Sequence, residues 1–204
     1  IASGGPLAYL LHTGGRDERH FGVLLVSDAF ALTQAEEELV AGRLAAKKAY
    51  KGRAEDARLL RQAGSLDLPV AAFDVVIGNP PWQELPLQKY KPLPRLWASA
   101  FQRPEGEGSL SQLFIHRALT LLRDGGALGM LISMKVFWND RETSREFRRY
   151  LLAHATVLQV VNMAHVRRVF FAKAVAPFAF LLAEKRPPTP DNRVVFWNAR
   201  RVAA

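Results

Sequence analysis

Two hydrophobic rhythms alternate along most of the chain. Short apolar runs rich in β-branched residues read as buried strands, and stretches with apolar positions three or four residues apart read as helices. The first run, FGVLLVSDAF (21–30), contains a polar Asp28 near its carboxyl end. Residues 33–64 follow with a charged, Ala- and Leu-rich helical composition, and Gly42 and Gly52 within it predict two helical pieces with solvated faces. The strand run FDVVI (73–77) stops at Gly78-Asn79-Pro80-Pro81, because proline cannot donate to a sheet and keeps the preceding residue out of helical space. In SQLFIHRALTLLRDGG (111–126), Leu113, Phe114, Ala118, Leu121 and Leu122 share one face. That pattern predicts a helix of about 14 residues, started by Ser111 and ended by Gly125-Gly126. ALGMLISM (127–134) then reads as a strand, NDRETSREFRRYLLAHA (139–155) as a helix and TVLQVVNM (156–163) as a strand.

Strands and helices alternating through short connectors predict an α/β fold with a mainly parallel sheet. VAPFAFLLAEKR (175–186) is a further strand, reached from residue 163 across only 11 residues. That is too short for a helical crossover, so this strand is expected to run antiparallel to its neighbour. RPPTPDN (186–192) is turn-rich, and RVVFWNA (193–199) is one more short strand. Residues 83–110 carry Pro86, Pro92, Pro94 and Pro104 and are expected to form a long loop.

Composition narrows the function. With 204 residues, 49% of them hydrophobic, the chain can build a real core. Having no cysteine, it has no disulfide framework, thiolate nucleophile or cysteine-ligated metal, and a reducing, cytoplasmic setting is the expectation. The formal net charge is +9, and 20 of the 28 basic residues are Arg. The planar guanidinium fork matches phosphate oxygens, which points to a polyanionic partner, although an Arg-rich codon bias accounts for the composition equally well. No apolar stretch reaches the ~18 residues of a membrane span, so no membrane partner is expected. The five histidines lack metal-ligand spacing, and no metal is expected. Arg141, Arg145, Arg148 and Arg149 interleave with Asp140, Glu142 and Glu146, which reads as a solvated helix face.

Asn79-Pro80-Pro81-Trp82 carries the sharpest chemistry. It stands at the carboxyl end of a buried strand, where open α/β sheets bind their ligands. The Asn79 side-chain oxygen and the Pro80 carbonyl can both accept hydrogen bonds from one amino group, leaving its nitrogen lone pair free to attack an electrophile. The two prolines restrict the backbone and hold that acceptor pair in place. Trp82 offers a flat face to a planar base.

FDVVIGNPPW resembles the catalytic motif of S-adenosylmethionine-dependent amino-group DNA methyltransferases, especially the γ-order N6-adenine enzymes of type IIG restriction-modification and phage-defence proteins. SQLFIHRALTLLRDGGALGMLISMKVF resembles the helix and strand that follow the motif in that family, and VRRVFFAKAVAPFAFLLAEK its late aromatic loop and antiparallel strand. The resemblance implies a Rossmann-like methyltransferase sheet, S-adenosylmethionine as cofactor and DNA as partner. It implies that Asn79 and the Pro80 carbonyl hold the amino group of a flipped-out adenine while Trp82 stacks on its ring. Phe170 or Phe171 would supply a second aromatic, Arg167 and Arg168 would meet phosphates, and Phe114 and Asp28 would line the cofactor pocket. Residues 1–69 are then an N-terminal part with a charged helical insertion, 70–186 the methyltransferase catalytic portion and 187–204 a C-terminal extension.

One departure stands out. The family's glycine-rich cofactor loop, an acidic strand end followed by Gly-x-Gly, has no counterpart in this sequence. The expectation is therefore a domain truncated at its N-terminus, part of a longer polypeptide and inactive alone. Two other readings stay open: methylation of RNA or of a protein glutamine, and a non-catalytic, methyltransferase-like nucleic-acid-binding module.

Overall fold

The computed structural model describes residues 7–12, 23–28, 36, 38, 42, 70–82, 93–173 and 175–201. Among them, strands β1 (Leu7–His12), β2 (Val23–Asp28), β3 (Phe73–Gly78), β4 (Leu122–Ser133), β5 (Thr156–Asn162), β6 (Phe178–Glu184) and β7 (Val195–Asn198) form one sheet. Its order is β2-β1-β3-β4-β6-β5-β7. β3 and β4 pair in parallel, as do β5 and β7, whereas β1 and β6 are antiparallel to both of their neighbours. The sheet is thus mainly of one direction, and the 175–186 strand is reversed as its short connection predicts. β1 is a second reversed strand, which the sequence reading did not anticipate.

The helices are α1 (Leu93–Ala100), α2 (Leu110–Leu121), α3 (Lys135–Trp138), α4 (Glu142–His154) and α5 (Arg167–Phe170). Of the charged segment 33–64, Glu36, Glu38 and Gly42 are helical, and the rest of that expectation lies outside the described residues. α1 corrects the reading of 83–110 as one long loop. Proline is tolerated in a first helical turn, where its missing N–H is not needed, and Pro94 stands there. The helix is kept because it buries Trp97, Ala98 and Ala100.

The boundaries of α2 also differ from expectation. It starts at Leu110, so Ser111 is inside the helix, fully buried, and its Oγ accepts a hydrogen bond from the Ser133 N–H at 3.1 Å. It ends at Leu121, and the glycine pair falls in β4 instead. Gly125 has φ +76°, and a Cβ on Gly126 would come within 3.0 Å of the Phe73 carbonyl oxygen. Both positions need glycine because the ladder is irregular there: Phe73 faces Leu122 and Val75 faces Ala127.

Eleven of the 12 residues of α2 are buried, polar ones included. Buried polar groups are costly without partners. Arg117 is paired with Glu36 through Nη1–Oε1 at 2.5 Å and Nη2–Oε2 at 3.2 Å, and Gln112 Oε1 accepts from the Gly106 N–H at 2.6 Å. Around them Phe73, Val76, Leu113, Ile115, Leu128, Ile132, Phe147 and Leu181 form one continuous core. No described helix is long and apolar enough to cross a membrane.

Candidate active site

In β3 Phe73 and Val76 are buried and Ile77 is exposed; the two buried residues are three apart because the register with β4 shifts between Phe73 and Val75. Beyond Gly78 the chain keeps Asn79 exposed and buries Pro80. Among the described residues the Asn79 amide has no hydrogen-bond partner, so its donor and acceptor are free for a ligand.

Trp82 is anchored from two directions. Its Nε1–H donates to the Leu131 carbonyl on neighbouring β4 at 3.1 Å. One ring face stacks on Phe178, with centroids 4.8 Å apart and planes 19° from parallel. Phe171 meets Trp82 edge-on at 5.7 Å and Phe178 at 5.4 Å, and Phe170 meets Phe178 edge-on at 6.4 Å. Trp82, Phe170 and Phe171, expected to act together, thus converge on one cluster. Its fully buried centre, Phe178, was missed by sequence reasoning. The only local signal was an aromatic directly after Pro177 at the start of a strand. Such tilted and offset ring pairs each contribute about 0.5–1.5 kcal/mol beyond area burial.

The remaining expected residues differ in placement. Arg167 Nη1 donates to the Ala164 carbonyl at 2.6 Å, bracing the turn before α5, while its buried Nε has no partner. Arg168 is exposed and forms no ion pair among the described residues. Phe114 is in the core cluster, 2% exposed. Asp28 ends β2 opposite Leu7, and because β1 is reversed, β2 runs in the direction of β3. Asp28 is therefore at the same sheet edge as Asn79, two strand spacings or roughly 10 Å across.

A second constellation lies at the opposite edge. A cavity of about 520 Å³ is lined by Arg103, His116, Tyr150, His154, Lys185 and Arg186 among others. It opens where β4 begins and where reversed β6 ends, remote from the carboxyl end of β3. His116 is 1% exposed. Its Nε2 bonds to the Pro104 carbonyl at 2.7 Å, so that nitrogen carries the proton. Burial pushes its pKa down to about 4, the Pro104 bond opposes this, and the positive charges of Arg103 and His154 add to the depression. His116 is a neutral structural imidazole. Among the described residues, no group of three or more His, Asp or Glu is arranged to hold a metal ion.

The chain resembles the methyltransferase subunit of a type I restriction-modification system from Streptococcus thermophilus at 16% identity over 62% of this chain and 26% of that one, with a TM-score of 0.47. It resembles the M protein of the type I restriction enzyme EcoKI at 14% identity over 63% and 25%, TM-score 0.47. It resembles the type IIG restriction endonuclease BpuSI at 18% identity over 62% and 15%, TM-score 0.48. The chain thus spans about a quarter or less of the length of these proteins. The family model of the Eco57I restriction-modification methylases matches residues 36–170, which run from Glu36 through the Asn79–Trp82 loop to Phe170. With well over half of its length matched in this way, the chain belongs to the Eco57I restriction-modification methylase family.

Proposed function

We propose that this chain is the catalytic portion of an S-adenosylmethionine-dependent DNA methyltransferase that acts on the N6 amino group of adenine, within a longer restriction-modification or defence protein. The observation that carries this reading is the free Asn79 amide beside the anchored Trp82 at the carboxyl end of β3. The target amino group is inaccessible in a stacked duplex, so the adenine is flipped into the site. Asn79 Oδ1 and the Pro80 carbonyl accept its two N–H bonds, and the lone pair is left pointing out of the ring plane. Trp82, backed by Phe178, offers its remaining face to the base, with Phe171 at the cluster's edge. Arg168, exposed on the short helix that ends at Phe170, would meet a phosphate, with Arg167 bracing the turn that carries it.

S-adenosylmethionine, when bound, supplies the electrophilic methyl group. Asp28, whose backbone ends β2 at the same edge as Asn79, is the residue that the resemblance assigns to the cofactor's adenine amino group. The fit is partial: β1, beside β3, runs the opposite way, so its carboxyl end at His12 faces the far edge, away from Asn79. Phe114, buried in the core, supports the cofactor side only from behind. The longer protein supplies the remaining contacts, and a cytoplasmic setting, where its DNA is, follows from this reading.

Replacing Asn79 by Ala in the full-length protein is expected to abolish methyl incorporation into plasmid DNA while leaving the melting temperature unchanged, because the side chain is exposed and unbonded. Full retained activity would sink the assignment. Running the same assay on RNA and on protein substrates separates DNA methylation from the alternative acceptors.

A further inference from the structure

We infer that Trp138, on the short helix after β4, is an apolar wedge that holds the DNA duplex open beside the flipped base, with Lys173 on the neighbouring loop neutralising a phosphate. This rests on the function proposed above. Trp138 is 62% exposed, an unusual position for the largest side chain. Its backbone is nevertheless fixed. Val136 is fully buried and Phe137 packs against the core, which turns the next residue outward. Arg148 Nη1 donates to the carbonyls of Val136 at 3.2 Å and Asn139 at 2.7 Å, on either side of Phe137 and Trp138. The fold thus invests packing and hydrogen bonds in presenting an indole to solvent.

Its place ties it to the candidate site. The Met134 N–H, just before α3, donates to the Pro177 carbonyl at 3.0 Å. Pro177 precedes Phe178, on which Trp82 stacks, and Trp82 bonds to Leu131, three residues before Met134. One connected structure therefore joins Asn79–Trp82, the start of α3 and the loop ending at Phe178. On the segments that leave it, Trp138, Val169, Phe170 and Val175 are all exposed. Exposed apolar groups on segments tied to one site fit an interaction surface, and here the charge says with what. Residues 163–177 contain Arg167, Arg168 and Lys173 and no acidic residue. Arg168 and Lys173 have no ion-pair partner among the described residues. Apolar side chains interleaved with unpaired cations fit a duplex whose stack is opened: the wedge replaces lost stacking and the cations meet the flanking phosphates.

The test compares two DNA substrates in the full-length protein, after the methylated site has been mapped on plasmid DNA. One is a paired duplex; the other places an abasic site opposite the target adenine, so that opening costs little. Trp138→Ala is expected to lower kcat/KM about ten- to a hundredfold on the paired duplex, the scale of a lost base-stacking contact, and to come within about threefold of wild type on the abasic substrate. Trp138→Phe should keep most activity on both. Lys173→Gln should reduce the salt slope of binding by about one. Equal losses on both substrates, the result if Trp138 instead seats another protein segment, overturn the inference, and so does no loss on either. Asn79→Ala separates the two levels: if it inactivates the enzyme on both substrates while Trp138→Ala shows no substrate dependence, the wedge fails and the proposed function stands.

Discussion

Lowering the pH should loosen this fold through one residue in particular. In the unfolded chain His116 titrates at the ordinary value of 6.5; in the folded protein, at about 4. Above pH 6.5 the imidazole is neutral in both states and contributes no pH dependence. As pH falls below 6.5 the unfolded state takes up a proton that the folded state refuses, so stability declines until the folded group also titrates near 4. At pH 5.5 the loss is on the order of 1 kcal/mol, and below pH 4 it approaches about 3 kcal/mol, since each unit of pKa difference is worth about 1.36 kcal/mol. Carboxylates add their own pH dependence, so the measurement is a difference. Urea unfolding of wild type and His116→Gln at pH 7.5 and 5.5 should show the wild type losing about 1 kcal/mol more than the variant over that interval. Whatever stability the substitution itself costs is common to both pH values and cancels. Parallel losses in the two proteins would refute the reasoning, because they would mean that His116 accepts its proton equally well in the folded state.

Two further outcomes test the packing. Arg117→Met should cost about 3–5 kcal/mol in urea unfolding because it removes the two-point guanidinium pairing of the buried Glu36 carboxylate, and combining it with Glu36→Leu should recover most of that loss. Gly106→Ala should cost about 1–3 kcal/mol, since its Cβ would fall 2.1 Å from Ser144 Oγ. Adding Ser144→Ala should return part of that stability; a Gly106→Ala protein that melts like wild type would show that the helix carrying Ser144 yields freely.

What was legible in the sequence was what depends on local periodicity. β3, the apolar part of β4, α4, β5 and β6 each carry their own pattern, and β6 betrayed its direction through the length of its connection. α1 was hidden because prolines signal loops unless they fall in a first turn. The ends of α2 were misplaced because Ser111 and Gly125-Gly126 are used in ways that only a partner strand reveals: one bonds to β4, the others shape its irregular pairing with β3. β1 was missed because its LAYLLH run, set among glycines, does not stand out from a loop. At the site, the motif loop could be read residue by residue. Phe178 could not, because its importance comes from contact with Trp82, and pairing across that sequence distance leaves no trace in a single sequence.

That pairing also changes what Trp82 can do. A tryptophan at the end of the motif has a feature that tyrosine and phenylalanine lack in that position, an indole N–H, and here it is spent on the Leu131 carbonyl of β4. With one face stacked on Phe178 and the edge tied to β4, the ring has almost no freedom to rotate. On the function proposed above, an adenine entering the site would meet a surface already oriented, so little ordering of this side chain remains to be done on binding. The same tether makes the loop's position a property of two strands rather than one: Asn79 is carried by β3, whereas the platform three residues later is held by β4 and β6. The relative placement of hydrogen-bond acceptor and stacking surface is thus set by the β3–β4–β6 ladder, whose parallel and antiparallel registers fix it. Any change that slips that ladder would separate the two functions without touching either residue.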